Sequence, residues 1–85
     1  MNKFYVYMLI ARRKRIFITY VGYTNNLLKR LDLHNKSKGA KFTRGNKWTL
    51  IYSKCYNSKK IAMKEEYLLK HDKKKRILIK TKYLN

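Results

Sequence analysis

Apolar and aromatic positions first recur with the period of a strand. Across residues 3–10, KFYVYMLI, the side chains of Phe4, Val6, Met8 and Ile10 point one way and those of Tyr5, Tyr7 and Leu9 the other. Both sets are hydrophobic, so this strand is expected to be covered on both faces. A second strand is predicted at residues 16–21, IFITYV, where Ile16, Ile18 and Tyr20 alternate with Phe17, Thr19 and Val21. Between them ARRKR, residues 11–15, must reverse the chain without Gly, Asn, Asp or Pro, a hairpin with no favourable turn chemistry. Gly22 then marks a place where the backbone turns or another group approaches closely. Thr24, Asn25 and Asn26 each offer an oxygen for an N-cap, and Leu27, Leu28 and Leu31 supply the apolar stripe of a helix over residues 25–36.

Residues 37–47, SKGAKFTRGNK, carry two glycines and the cations Lys38, Lys41, Arg44 and Lys47, and read as a basic loop. Phe42 within it either anchors the loop in the core or stacks on a base. A third strand spans 48–56, WTLIYSKCY, with Trp48, Leu50 and Tyr52 on one face. Asn57 or Ser58 caps a second helix running to about residue 72, with Ile61, Met63 or Lys64, Tyr67, Leu68 and His71 at helical spacing. The tail, KKKRILIKTKYLN, has an apolar patch at 77–79 that suits a short helix packing back. The expected fold class is α+β, one domain over 1–85: a small three-stranded antiparallel sheet flanked by helices, ordered strand, strand, helix, strand, helix and a helical tail.

Charge changes the picture more than any other property. There are 23 Lys and Arg against 4 Asp and Glu, a net charge of +19. Such a field attracts polyanions, and nucleic acid is the expected partner; an acidic protein or an anionic membrane surface is the alternative. The single Cys55 has no partner for a disulfide or a zinc pair and, lying in an apolar run, is expected to be buried. The run from Phe4 to Ala11 is too short to span a bilayer and lacks a signal-peptide pattern. A soluble, cytoplasmic protein without a membrane partner is expected.

Arg30 and His34 stand one helical turn apart, so a guanidinium and an imidazole share a helix face just after the strand that carries Tyr20. That combination could hold a phosphodiester. Hydrolysing one takes a proton acceptor for the nucleophile, positive charge on the transition state and usually a metal. Only Asp32, Glu65, Glu66 and Asp72 are carboxylates, too few for an acidic two-metal cluster unless nearly all converge. One oxygen-bound, largely hydrated Mg²⁺ or Mn²⁺ is the economical proposal.

The triplets Tyr5-Val6-Tyr7 and Tyr20-Val21-Gly22, with Arg30 eight positions past the glycine, resemble the GIY-YIG nuclease motif. KRLDLHN at 29–35, KGAKFTRG at 38–45 and the Ala62 to Tyr67 run are similar to the small stand-alone bacterial members, and the likeness spans about residues 3–70. It departs from them in the first triplet, which is YVY, and in a hairpin without their usual Asp-Gly. The resemblance implies a three-stranded antiparallel sheet flanked by helices and a metal-dependent endonuclease acting on DNA, related to repair or recombination. Tyr7 and Tyr20 would line the site, one of them relaying or accepting the proton of the attacking water. Arg30 would stabilise charge on the scissile phosphate, His34 would assist proton transfer or position substrate, and Glu66 would bind one divalent ion. Lys38, Lys41, Arg44 and Lys47 would grip flanking phosphates, which carries no base code. Little sequence specificity is therefore expected, with nucleic-acid structure as the cue.

Taken without the resemblance, each residue has a plainer use. The tyrosines serve equally as core aromatics, His34 as a helix-surface residue, and Glu66 as the i, i+4 partner of Lys70. Glu65 competes with Glu66 for the metal. At the level of function, a basic nucleic-acid-binding module without catalysis and an adaptor for an acidic protein remain alternatives.

Overall fold

The computed structural model describes residues 2–85. Strand β1 (Phe4–Arg13) pairs antiparallel with β2 (Ile16–Thr24) on one side and β3 (Thr49–Tyr56) on the other, giving the order β2-β1-β3. Three helices follow the sheet's hairpin and third strand: α1 (Leu27–Asn35), α2 (Lys59–His71) and α3 (Lys73–Leu84). The α+β architecture expected from the alternation is the one observed.

Because β1 is central, both of its faces are buried, continuously from Val6 to Ala11. Tyr7, Leu9 and Ala11 pack with Trp48, Leu27 and Leu31, so α1 lies over this face. Val6 and Met8 pack with Val21, Ala62, Leu69 and Ile79, so α2 and α3 cover the other. The strands run further than the hydrophobic pattern suggests. Arg12 and Arg13 still pair with Phe17 and Ile16, leaving only Lys14-Arg15 as the turn, and Lys14 takes φ 57°, where a glycine would be relaxed. Gly22 does not turn the chain; it sits inside β2 opposite Tyr7.

Four other expectations are corrected. Leu28 is 80% exposed, so the apolar stripe of α1 is Leu27 and Leu31 alone. A bulge in β3 opposite Met8 and Leu9 pairs Met8 with Tyr52 but Leu9 with Leu50, sending Leu50 and Tyr52 to opposite faces of the sheet. Cys55 is exposed, because β3 is an edge strand whose far end is not covered. On α2 the predicted stripe faces outward: Ile61, Met63, Tyr67 and Leu68 are exposed, and the buried residues are Ala62 and Leu69. The small Ala62 lets the helix approach a sheet face already filled by Val6, Met8 and Val21. That rotation turns the 65–66 pair half inward.

The tail is a full helix of 12 residues with none fully buried. Asp72 caps its start by accepting from the Lys75 amide, and Lys80 Nζ donates to the Phe17 carbonyl at 2.9 Å, tying α3 to the beginning of β2. Among the described residues no helix is long and apolar enough to cross a membrane.

Candidate active site

Side chains from β1, β2 and α1 gather beside β2, an edge strand. The centre of the cluster is Tyr7. Its ring runs from β1 across the strand toward Gly22, and a Cβ placed on Gly22 would lie 2.5 Å from the Tyr7 hydroxyl and 2.7 Å from Cζ. Any side chain there would push the phenol out of place; the glycine is needed for a close approach, not for a turn.

The Tyr7 hydroxyl lies 2.8 Å from His34 Nε2, and both residues are almost fully buried. The hydrogen-bond chain behind His34 fixes its tautomer. Thr43 donates its single hydroxyl proton to the Ala40 carbonyl at 2.8 Å, so its oxygen must accept the bond from His34 Nδ1, also 2.8 Å. The proton is therefore on Nδ1. Nε2 is a bare acceptor, and Tyr7 is the donor to it.

Local structure builds this arrangement. Asn26 caps α1 through the Lys29 amide at 3.1 Å, setting the register that puts Arg30 and His34 one turn apart. The helix ends in a Schellman motif: Ser37 N–H donates to the His34 carbonyl, Lys38 N–H donates to the Leu33 carbonyl, and Ser37 takes φ 60°. The chain then folds back so that Gly39 lies against the imidazole; a Cβ there would stand 2.5 Å from Nδ1. The 3₁₀ turn Lys41–Thr43 brings Thr43 onto the ring, and Trp48 Nε1 donates to the Thr43 carbonyl at 2.8 Å. Asn35 clamps the start of β3 by accepting from the Trp48 amide and donating to its carbonyl. Thr43 and Gly39 carry no signal in the sequence beyond their place in a lysine-studded loop, and neither was expected at the site.

Tyr20 and Arg30 complete the near side. The Tyr20 ring centroid is 5.0 Å from that of His34 and 6.3 Å from that of Tyr7. Burial pushes the Tyr7 phenol up to about 12, offset in part by the neighbouring Arg30 guanidinium, with the nearby Tyr20 and Glu66 adding to the rise. Arg30 is held above its ordinary value chiefly by that interaction with Tyr7, with Tyr20 contributing as well. His34 is held below the usual imidazole range, first by burial and then by the charge of Arg30. The phenol of Tyr7 thus feels Tyr20, Arg30 and Glu66 and hydrogen-bonds to His34. Five predicted residues share one neighbourhood.

Glu66 comes from the opposite face, on α2, and is half-buried with Lys70 at 3.5 Å. The other carboxylates are directed elsewhere. Asp32 pairs with Lys36 at 2.8 Å in solvent, Asp72 caps α3, and Glu65 leans toward Tyr56, whose phenol is raised by burial and then by that charge. Among the described residues no group of three or more His, Cys, Asp or Glu gathers as a metal cluster. Two shallow depressions run beside β2, one lined by Lys29 and Arg30 with Asn25 and Asn26, the other by Tyr20, Lys70 and Arg76. Lys29, Lys70 and Arg76 therefore join the cations of the site, an addition to Lys38, Lys41, Arg44 and Lys47, which all stand exposed on the loop around His34.

The buried imidazole has a consequence for stability. In the unfolded chain it titrates near 6.5, whereas in the fold it stays neutral to lower pH. As pH falls through about 6.5 the unfolded state gains a proton that the folded state refuses, so stability declines until the folded value is passed. Melting followed from pH 7.5 to 5 is expected to show this decline in the parent chain and a shallower one in His34→Gln. Equal slopes would mean that the imidazole is not held neutral.

Residues 3–83 match the family profile described as the GIY-YIG catalytic domain. A UPF0213 protein of Bacillus licheniformis is 44% identical over 70 residues, covering 81% of this chain and 69% of its own. A UPF0213 protein of Lactiplantibacillus plantarum is 38% identical over 87 aligned positions, covering 99% of this chain and 80% of its own. Among solved structures, the solution NMR structure of a UPF0213 protein from Bacillus halodurans is 37% identical, covers 94% of this chain and 85% of that one, and has a TM-score of 0.49.

Proposed function

The chain belongs to the GIY-YIG family, and on that premise we propose that it is a metal-dependent endonuclease that hydrolyses DNA phosphodiester bonds with little sequence specificity. The observation that carries this reading is the hydrogen-bond chain Tyr7–His34–Thr43 with Arg30 beside it. A tyrosine that merely filled the core would not need a tautomer-fixed histidine behind it and a guanidinium in front.

Each residue then has a step. Arg30 faces the negative charge that develops on the non-bridging oxygens of the phosphate. A phenol whose pKa is about 12 does not rest as a phenolate at neutral pH. Tyr7 instead accepts the proton of the attacking water while passing its own to His34 Nε2, the bare acceptor. The imidazolium formed is stabilised through Nδ1–H by Thr43. Tyr20, against both rings, shapes the wall and lends its hydroxyl to the substrate. The exposed loop cations and the lysines beside β2 hold flanking phosphates, contacts that position a strand without reading bases.

Domains of this family typically use a divalent metal. The donor set here fits a hard, oxygen-preferring ion that keeps most of its waters, with Glu66 as its single carboxylate. When bound, Mg²⁺ or Mn²⁺ adds positive charge at the phosphate and acidifies water. Glu66 would exchange Lys70 for it, a pair loose enough at 3.5 Å to give way.

The test is direct. The purified chain is expected to nick DNA with Mg²⁺ or Mn²⁺ and to stop when EDTA is added. A chain inert on every DNA structure offered, yet bound to each with steep salt dependence, would instead be a nucleic-acid-binding module without catalysis.

A further inference from the structure

Phe42 is a large aromatic side chain that the fold leaves half in water at the rim of the site, 50% exposed. Its position is nonetheless fixed. It is the middle residue of the 3₁₀ turn, next to Thr43, whose hydroxyl and carbonyl are held by His34, Ala40 and Trp48. The ring stacks beside Tyr20, with centroids 6.4 Å apart and planes within 20°, and Trp48 lies 6.3 Å away. From the hairpin tip, the Arg13 guanidinium reaches over it at 5.6 Å. Lys41 and Arg44 flank it in the chain and are exposed.

A ring used only to seal the core would be covered, as Trp48 is. A fixed, half-open ring among exposed cations, continuous with the phenol of Tyr20, is what an unpaired nucleobase needs: a π-face, a facing guanidinium and charge for the adjoining phosphates. A base inside a duplex is already stacked between its neighbours and cannot use such a face. We propose that Phe42, faced by Arg13, is a stacking site for an unpaired nucleobase beside the scissile phosphate. The proposal rests on the reading of this site as a nucleic-acid pocket, but its test reads binding alone.

Affinity is measured in EDTA for two DNAs of equal length, one a blunt duplex and one a duplex with a single-stranded flap. The unmodified chain is expected to bind the flap on the order of tenfold more tightly than the duplex. Phe42→Leu, which keeps an apolar side chain without a π-face, is expected to lose that preference with duplex affinity intact, and Phe42→Trp to keep it. The proposal is overturned if Phe42→Leu retains the preference, if it weakens both DNAs equally, or if Phe42→Trp behaves like Phe42→Leu. Because no metal is present, the result is independent of cleavage. A chain that shows the Phe42-dependent preference but never cuts defeats only the nuclease reading; one that cuts without the preference defeats only this proposal.

Discussion

Arg30→Ala is expected to lower metal-dependent cleavage by about a thousandfold or more, the scale seen when a preorganised group facing transition-state charge is removed. Duplex affinity should fall by no more than about threefold, because one phosphate contact among many is lost from a chain of net charge +19. Glu66→Ala should abolish cleavage as fully, and raising the metal concentration should not restore it. Glu65→Ala is the informative control. Glu65 leans toward Tyr56 on the β3 side and Glu66 is felt by Tyr7, so removing Glu65 should leave cleavage near its original level. Stability should hardly change in any of the three. Arg30 and Glu66 are only half-buried, and the pair that Glu66 makes with Lys70 is long. Rates followed beside circular dichroism melts would separate lost chemistry from lost fold. Cleavage that survives in both Arg30→Ala and Glu66→Ala would remove this site from consideration.

Gly22→Ala should have the largest effect on the fold itself. The added methyl meets the Tyr7 hydroxyl at 2.5 Å and Cζ at 2.7 Å, distances at which something must move. Tyr7 is packed between Leu9, Trp48 and α1, so the ring can move only by breaking its bond to His34 and leaving a buried nitrogen without a donor. Overpacking of this kind costs about 1–3 kcal/mol. The unsatisfied buried group adds about 1–3 kcal/mol. For a domain of this size, each kcal/mol lowers the melting midpoint by about 4–8 °C, so a fall of at least about 8 °C is expected. Cleavage should be lost in whatever fraction still folds. A Gly22→Ala chain that melts and cuts like the parent would show that Tyr7 does not reach across β2 as described.

Much of this was visible in the sequence for definite reasons. Alternating apolar positions in a strand with no polar face implied a β1 covered on both faces, and Val6 to Ala11 are buried as that requires. The order of Tyr20, Gly22 and Arg30 put phenol, gap and guanidinium on neighbouring elements, the family resemblance added Tyr7, and the fold brings them together. What failed depended on tertiary contacts. The exposed Ile61, Met63, Tyr67 and Leu68 mimic a buried stripe, and only the sheet face they would have met shows that Ala62 and Leu69 fit it better. Alternation through 48–56 could not foretell the bulge that separates Leu50 from Tyr52. Thr43 looks like one more polar loop residue, because the ring it holds lies on a helix nine positions earlier. The same tertiary facts set aside the plainer use of His34 as a helix-surface residue and make it the buried partner of Tyr7.

The central claim is that groups from opposite faces of the sheet, Tyr7 and Arg30 on one side and Glu66 on the other, converge on one divalent ion at the β2 edge. Titrating Mn²⁺ into the isotope-labelled chain and following paramagnetic broadening of its amide signals tests this most directly. The account predicts selective broadening of Tyr7, Gly22, Arg30 and Glu66 and its loss in Glu66→Ala. Broadening centred on Asp32, Glu65 or Asp72, or a pattern unchanged in Glu66→Ala, would contradict it.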